Sequence, residues 1–112
     1  MKINGHEFEF SYVNSADAIR LSEAGKRIAG RLEEIEKAQK ESWGSVVRVT
    51  IDCYREYLNT ATGIDILEGC DDIETAEAAY FDFLGEVAVQ EKEYREKRVE
   101  RINHYSELKG LV

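Results

Sequence analysis

Over residues 1–12 (MKINGHEFEFSY), apolar and polar side chains alternate: Met1, Ile3, Phe8 and Phe10 share one face, and Lys2, Glu7 and Glu9 share the other. A period of two is that of a half-buried strand. Asn4-Gly5 or Gly5-His6 supplies the positive φ that a two-residue hairpin turn needs. The two turns differ by two residues in register, so either one keeps the apolar face intact and opposes Lys2 to a glutamate. The pattern predicts a β-hairpin with a first strand of about four residues and a second of about six. An isolated hairpin is marginal in water, so it must lie on the rest of the chain. Its free edge closes either on the chain's own body or on a second copy.

After residue 12 the period changes from two to three-to-four, and no proline interrupts the remaining hundred residues. A first helix is predicted over 15–40, capped by Asn14 or Ser15 and carrying Ile19, Leu21, Ala24, Ile28, Leu32, Ile35 and Ala38 as its seam. Gly25 and Gly30 weaken it and are expected where a neighbouring helix comes close. A second helix is predicted over 43–59, opening at Ser42, with Trp43, Val46, Val47, Ile51, Tyr54 and Leu58 on its buried stripe. Its β-branched content suits a strand, but the continued period through Tyr57 and Leu58 favours helix. Gly63 is placed to end it in a left-handed cap, and Ile64–Leu67 form a short turn.

Asp71 followed by Glu74 reads as an acidic capping box opening the longest helix, 72–105. Its buried stripe is Ile73, Ala76, Tyr80, Phe83, Leu84 and Val87, widened by Phe81 and Ala88. Beyond Val89 the stripe thins to Tyr94, Val99, Ile102 and Tyr105. At 1.5 Å per residue the helix is on the order of 50 Å long, against a radius of gyration near 13 Å for a compact domain of this size. Roughly its last third must overhang the body. The expected fold is therefore mainly α: one domain spanning 1–112, a short N-terminal hairpin and a bundle of three main helices with the last one long.

Composition narrows the function. Acids outnumber bases 23 to 15, giving a net charge of −8, which argues against nucleic-acid or anionic-membrane partners. The bases around Lys92, Arg95, Lys97, Arg98 and Arg101 are interleaved with Glu91, Glu93, Glu96 and Glu100, as on a solvated helix. No apolar stretch is long enough to span a bilayer, and the opening residues do not resemble a signal peptide, so a cytoplasmic location is expected. Cys53 and Cys70 lack CxxC spacing and read as packing residues.

The chain carries no recognisable catalytic constellation. Neither His6 nor His104 follows a glutamate by three residues, and HExxH and Cys/His zinc spacings do not occur. In DILEGCDDIETA, counting from Asp65, the third and fifth positions are Leu67 and Gly69, which cannot hold calcium through their side chains. No glycine pattern matches a phosphate-binding loop. The chain is expected to be non-catalytic, with no cofactor and no metal. Tyr94, Val99, Ile102 and Tyr105, apolar positions set among charges, are the candidate partner-binding residues.

The opening MKINGHEFEF, the Glu- and Lys-rich amphipathic first helix, and ILEG…ETAEAAYFDFLGEVAVQ together resemble small tail-assembly chaperones of siphophages and prophages of Gram-positive bacteria. Gly5, Phe8 and Phe10, then Phe83, Leu84 and Val87, carry most of the likeness, which spans about nine-tenths of the chain as a pattern. Relatives end in basic tails, whereas this chain ends near-neutral at His104–Val112. The resemblance implies a holdase that coats the helical tape-measure protein and recruits tail-tube subunits in the bacterial host cytoplasm, with homo-oligomerisation as a further expectation. Two other readings are a secreted WXG-type helical hairpin, prompted by Trp43-Gly44, and a small dimeric helical adaptor or regulator.

Overall fold

A computed structural model describes residues 1–110. It is mainly α, with a two-stranded N-terminal hairpin followed by helices, the last of them long. The strands are β1 (Lys2–Ile3) and β2 (His6–Glu7), and the helices are α1 (Ser15–Ala29), α2 (Leu32–Glu41), α3 (Trp43–Thr62) and α4 (Ile73–Gly110).

The hairpin turns at Asn4-Gly5, both with positive φ (48° and 77°), the backbone that a primed two-residue turn requires. Lys2 faces Glu7 and Ile3 faces His6. The strands are shorter than the alternation predicts. Met1 and Phe8 still exchange two hydrogen bonds, the amino group donating to Phe8 O at 2.9 Å and Phe8 N–H to Met1 O at 3.0 Å. Past Phe8 the chain leaves its partner but keeps the alternation, and Phe10 is buried beside Ile3. The expected free edge is closed by the chain's own body. The Gln90 amide on α4 donates to Phe10 O (3.1 Å) and accepts from Tyr12 N–H (2.7 Å), while Asn4 Nδ2 at the turn donates to Ile66 O (3.0 Å).

The first predicted helix is interrupted. Gly30 closes α1, Arg31 adopts φ −105° and ψ 6°, and α2 restarts at Leu32. At the break, the Arg31 guanidinium reaches Glu34 on α2 and Glu56 on α3, the latter at 2.7 Å. Together with the low helix propensity of glycine, this favours a kink over a straight rod. α2 gives way to α3 through the single extended residue Ser42, whose Oγ accepts from Ser45 N–H at 3.1 Å. Asn14, rather than Ser15, caps α1 by accepting from Asp17 N–H. α4 is capped by Asp72, not Asp71: its two carboxylate oxygens take Glu74 N–H and the Thr75 hydroxyl, each at 3.0 Å. Asp71 is one residue too early for its side chain to reach the first free amides of the helix.

Helix α3 is the hub, with α1, α2 and α4 all packed on it. Alanines mark the close approaches: Ala24, Ala38, Ala61, Ala76 and Ala79 are buried. The expected role of Gly25 and Gly30 in such contacts does not hold. A Cβ at Gly25 would meet nothing within 4 Å, and one at Gly30 would meet only the preceding turn's carbonyls. The outer flanks of the predicted seams are left in solvent. Ile19, Leu32, Trp43 and Phe81 are all more than half exposed. Trp43, the first residue of α3, is furthest from expectation at 69% exposed.

The core centres on Phe83, which is fully buried. Phe10 meets it edge-on at 5.3 Å, Phe8 lies at 6.5 Å and Tyr57 at 6.2 Å. Tyr57 leads on to Tyr80, which stacks on Tyr54 at 4.2 Å. Below this cluster the connection from α3 to α4 is pinned from the inside. Gly63 (φ 77°) ends α3 in the left-handed region as predicted, Ile66 and Leu67 are fully buried, and Arg55 Nη2 donates to Leu67 O and Cys70 O. Cys53 is buried as predicted, and burial raises its thiol pKa.

Two outcomes follow. Gly25→Ala is expected to stabilise the protein by about 1 kcal/mol, since the added methyl has open space, as read by denaturant unfolding. Burial, then the neighbouring Tyr80, pushes the Tyr57 phenol up to about 12. The folded state therefore holds this proton more tightly than the unfolded chain, whose tyrosines titrate near 10. Its contribution to stability is complete below about pH 10 and is lost as the pH rises towards 12. Unfolding measured across that window should show the loss, and Tyr57→Phe should flatten it.

Candidate partner-binding surface

α4 has 38 residues, and the molecule is 68 Å along its longest axis with a radius of gyration of 18.4 Å. A compact chain of this length would have about 13 Å, so the predicted overhang is present. From Arg95 to Gly110 every residue is exposed. Helix continues past the expected end at 105, so these sixteen residues form a helical arm roughly 24 Å long.

Where the arm leaves the body, Tyr12, Val13, Gln90, Glu93, Tyr94, Lys97 and Arg101 line a cleft of about 460 Å³. A second hollow of about 450 Å³ adjoins it across Tyr12, Val13 and Tyr94 and extends to Leu21 on α1. The clamp of Gln90 on the Phe10–Tyr12 backbone builds the wall of this corner, and the arm forms its floor. Gln90 was not among the residues that the sequence pattern singled out. Its only signal is a polar side chain on the line of Phe83 and Val87, where an apolar one would continue the stripe.

The four candidate residues do not form one patch. At about 100° per residue, Tyr94 and Tyr105 lie within ~20° of the line that Phe83 and Val87 turn towards the body. Ile102 is about 80° round from that line, and Val99 about 140°. Tyr94 is half-buried, with its ring 6.2 Å from that of Tyr12, so it belongs to the corner. Val99, Ile102 and Tyr105 are more than half exposed.

Charge is sorted around the same axis. On residues 95–110 the bases are Arg95, Lys97, Arg98, Arg101 and Lys109, and the acids are Glu96, Glu100 and Glu107. All five bases fall within about 100° of the core line, and all three acids lie beyond about 120° from it. Arg95 is engaged with Glu91 at 2.6 Å, while Lys97, Arg98 and Arg101 form no ion pair among the described residues. The face that continues the core line thus combines Tyr105 and Leu108 with unengaged cations, suited to an apolar helix edged with carboxylates.

The described residues contain no cluster of His, Cys, Asp or Glu able to hold a metal, and no helix among them is long and apolar enough to cross a membrane. No family model, curated protein or solved structure matches the chain.

Tyr94 and Tyr105 share a helix line but differ in what they touch, so their serine variants should separate. Tyr94→Ser is expected to lower stability by about 1–2 kcal/mol through loss of the Tyr12 contact. Tyr105→Ser should stay within about 0.5 kcal/mol of the parent, as read by denaturant melts.

Proposed function

We propose that this chain is a non-catalytic tail-assembly chaperone of a siphophage or prophage, acting in the bacterial cytoplasm to hold the tape-measure protein and recruit tail-tube subunits. The observation that carries this reading is the arm: a solvent-projecting helix whose core-line face is apolar and basic, opening into a corner walled by Tyr12, Val13 and Leu21. A tape-measure protein before tube closure is a long helix with exposed apolar stripes, and such a corner accepts one helix side-on. The acidic body disfavours nucleic acid and anionic membrane as the occupant. The net charge of −8 also keeps unassembled chaperone soluble.

The contact is expected to be modest in area, because a holdase must release its client as the tube polymerises. Hydrophobic burial along one helix face, trimmed by screened ion pairs at its rim, gives an affinity that assembly can outcompete.

The test is co-expression with the tape-measure and tail-tube proteins encoded beside it. The reading predicts that the tape-measure protein co-purifies and stays soluble, and that Arg101→Glu combined with Tyr105→Ser abolishes capture while the melting temperature barely moves. If neither protein co-purifies or gains solubility, the reading fails.

A further inference from the structure

A second face of α4 is largely exposed and is distinct from the client corner, although Phe81 meets Tyr54 of α3 edge-on and Glu91 pairs with Arg95 along it. Phe81, Leu84, Ala88, Glu91, Arg95, Val99, Ile102, Ser106 and Lys109 are spaced by three and four and fall on one lateral line, about 60–140° from the core line. Phe81, Val99 and Ile102 are each more than half exposed, and Leu84 is half-buried. Val99 and Ile102, which have no place on the corner-facing line, both belong to it.

The charge along α4 is polarised end to end. Residues 73–90 carry Glu74, Glu77, Asp82 and Glu86 with no lysine or arginine, whereas residues 95–110 carry five bases against three acids. A parallel pair would set like against like. An antiparallel pair sets the acidic half of each helix beside the basic half of the other.

We propose that two copies of this chain pair antiparallel along the lateral line of α4, with the two-fold axis between Glu91 and Lys92. In that register Phe81 meets Ile102 of the second copy, Leu84 meets Val99 and Ala88 meets Arg95, while Glu91–Lys92 and Glu74–Lys109 face each other at the rim, since Lys92 and Glu74 lie about 160° from the core line. The apolar contacts and the charge contacts coincide in this one register, and each occurs twice by symmetry. The overlap from Glu74 to Lys109 is about 50 Å long. At a helix width of roughly 12 Å, counted on both copies, it comes to at most about 1,200 Å², near the lower end of stable specific interfaces. Each arm lies along the other copy's body on the lateral side and leaves the corner at Tyr12 and Tyr94 open.

The test uses the purified full chain alone, so it is decided independently of whether a tape-measure protein is the client. Sedimentation equilibrium is expected to give twice the chain mass. Val99→Asp, on the free arm where it disturbs no core contact, should weaken the dimer at least tenfold with an unchanged helical circular dichroism spectrum. A Phe81→Cys, Ile102→Cys double variant in a Cys70→Ser background should oxidise to an interchain 81–102 disulfide. Within one chain those positions are about 30 Å apart along the helix and cannot bridge. A monomer at about 100 μM, weaker than a standard-size interface holds, would overturn the proposal. So would a dimer indifferent to Val99→Asp, or cross-links joining 81 to 81 and 102 to 102.

Discussion

Phe83 is the side chain on which the pieces of this small protein converge. It comes from α4, but its ring is enclosed by Phe8 and Phe10 from the N-terminal segment and by Tyr57 from α3. A two-residue ladder of strand cannot hold a hairpin in water; here the hairpin is held because its two phenylalanines complete the burial of a third. Truncating a buried phenylalanine typically costs about 3–5 kcal/mol, a large share of the 5–15 kcal/mol that a domain possesses. The hairpin, the central helix and the long helix therefore stand or fall together, although two of them are far apart in sequence.

What was legible in the sequence, and what was not, follows from the range of the forces involved. The Asn4-Gly5 turn, the Asn14 and Ser42 caps and the left-handed Gly63 are decided by a few neighbouring residues, and each lies where local chemistry places it. The break at Gly30–Arg31 leaves the apolar periodicity through Ile28 and Ile35 intact; its local sign is the glycine, and the Arg31–Glu56 pair that accompanies it joins residues twenty-five apart. Ile19, Leu32, Trp43 and Phe81 were assigned to buried stripes because periodicity reports which side of a helix is apolar, not how much of that side a partner covers. At the candidate site, the overhang was legible from length alone. The division of Tyr94, Val99, Ile102 and Tyr105 between two faces needed the direction of the body, which only the packing of Phe83 and Val87 supplies.

The near-balance of charge at the C-terminal end hides a strong angular order. Counted along the chain, the arm looks like a solvated helix with mixed signs. Counted around its axis, cations gather on one side and carboxylates on the other, while the first half of the same helix is purely acidic. This order has little to do with the stability of the arm, since exposed ion pairs contribute at most about 1 kcal/mol each. It does give one helix two surfaces of different character, one apolar and basic along the core line and one lateral with Phe81, Val99 and Ile102 exposed.

Gln90 has a consequence beyond fixing the corner. A strand that runs on past its partner leaves unpaired amides and carbonyls, the template on which chains add to one another edge to edge. Here a single side-chain amide supplies both a donor and an acceptor to the Phe10–Tyr12 backbone, acting as one residue of a missing neighbouring strand. The exposed edge of an apolar FEFSY segment, with the alternating composition that favours cross-β stacking, is thereby capped from within. Edge-to-edge addition along this segment is thus opposed by a single glutamine.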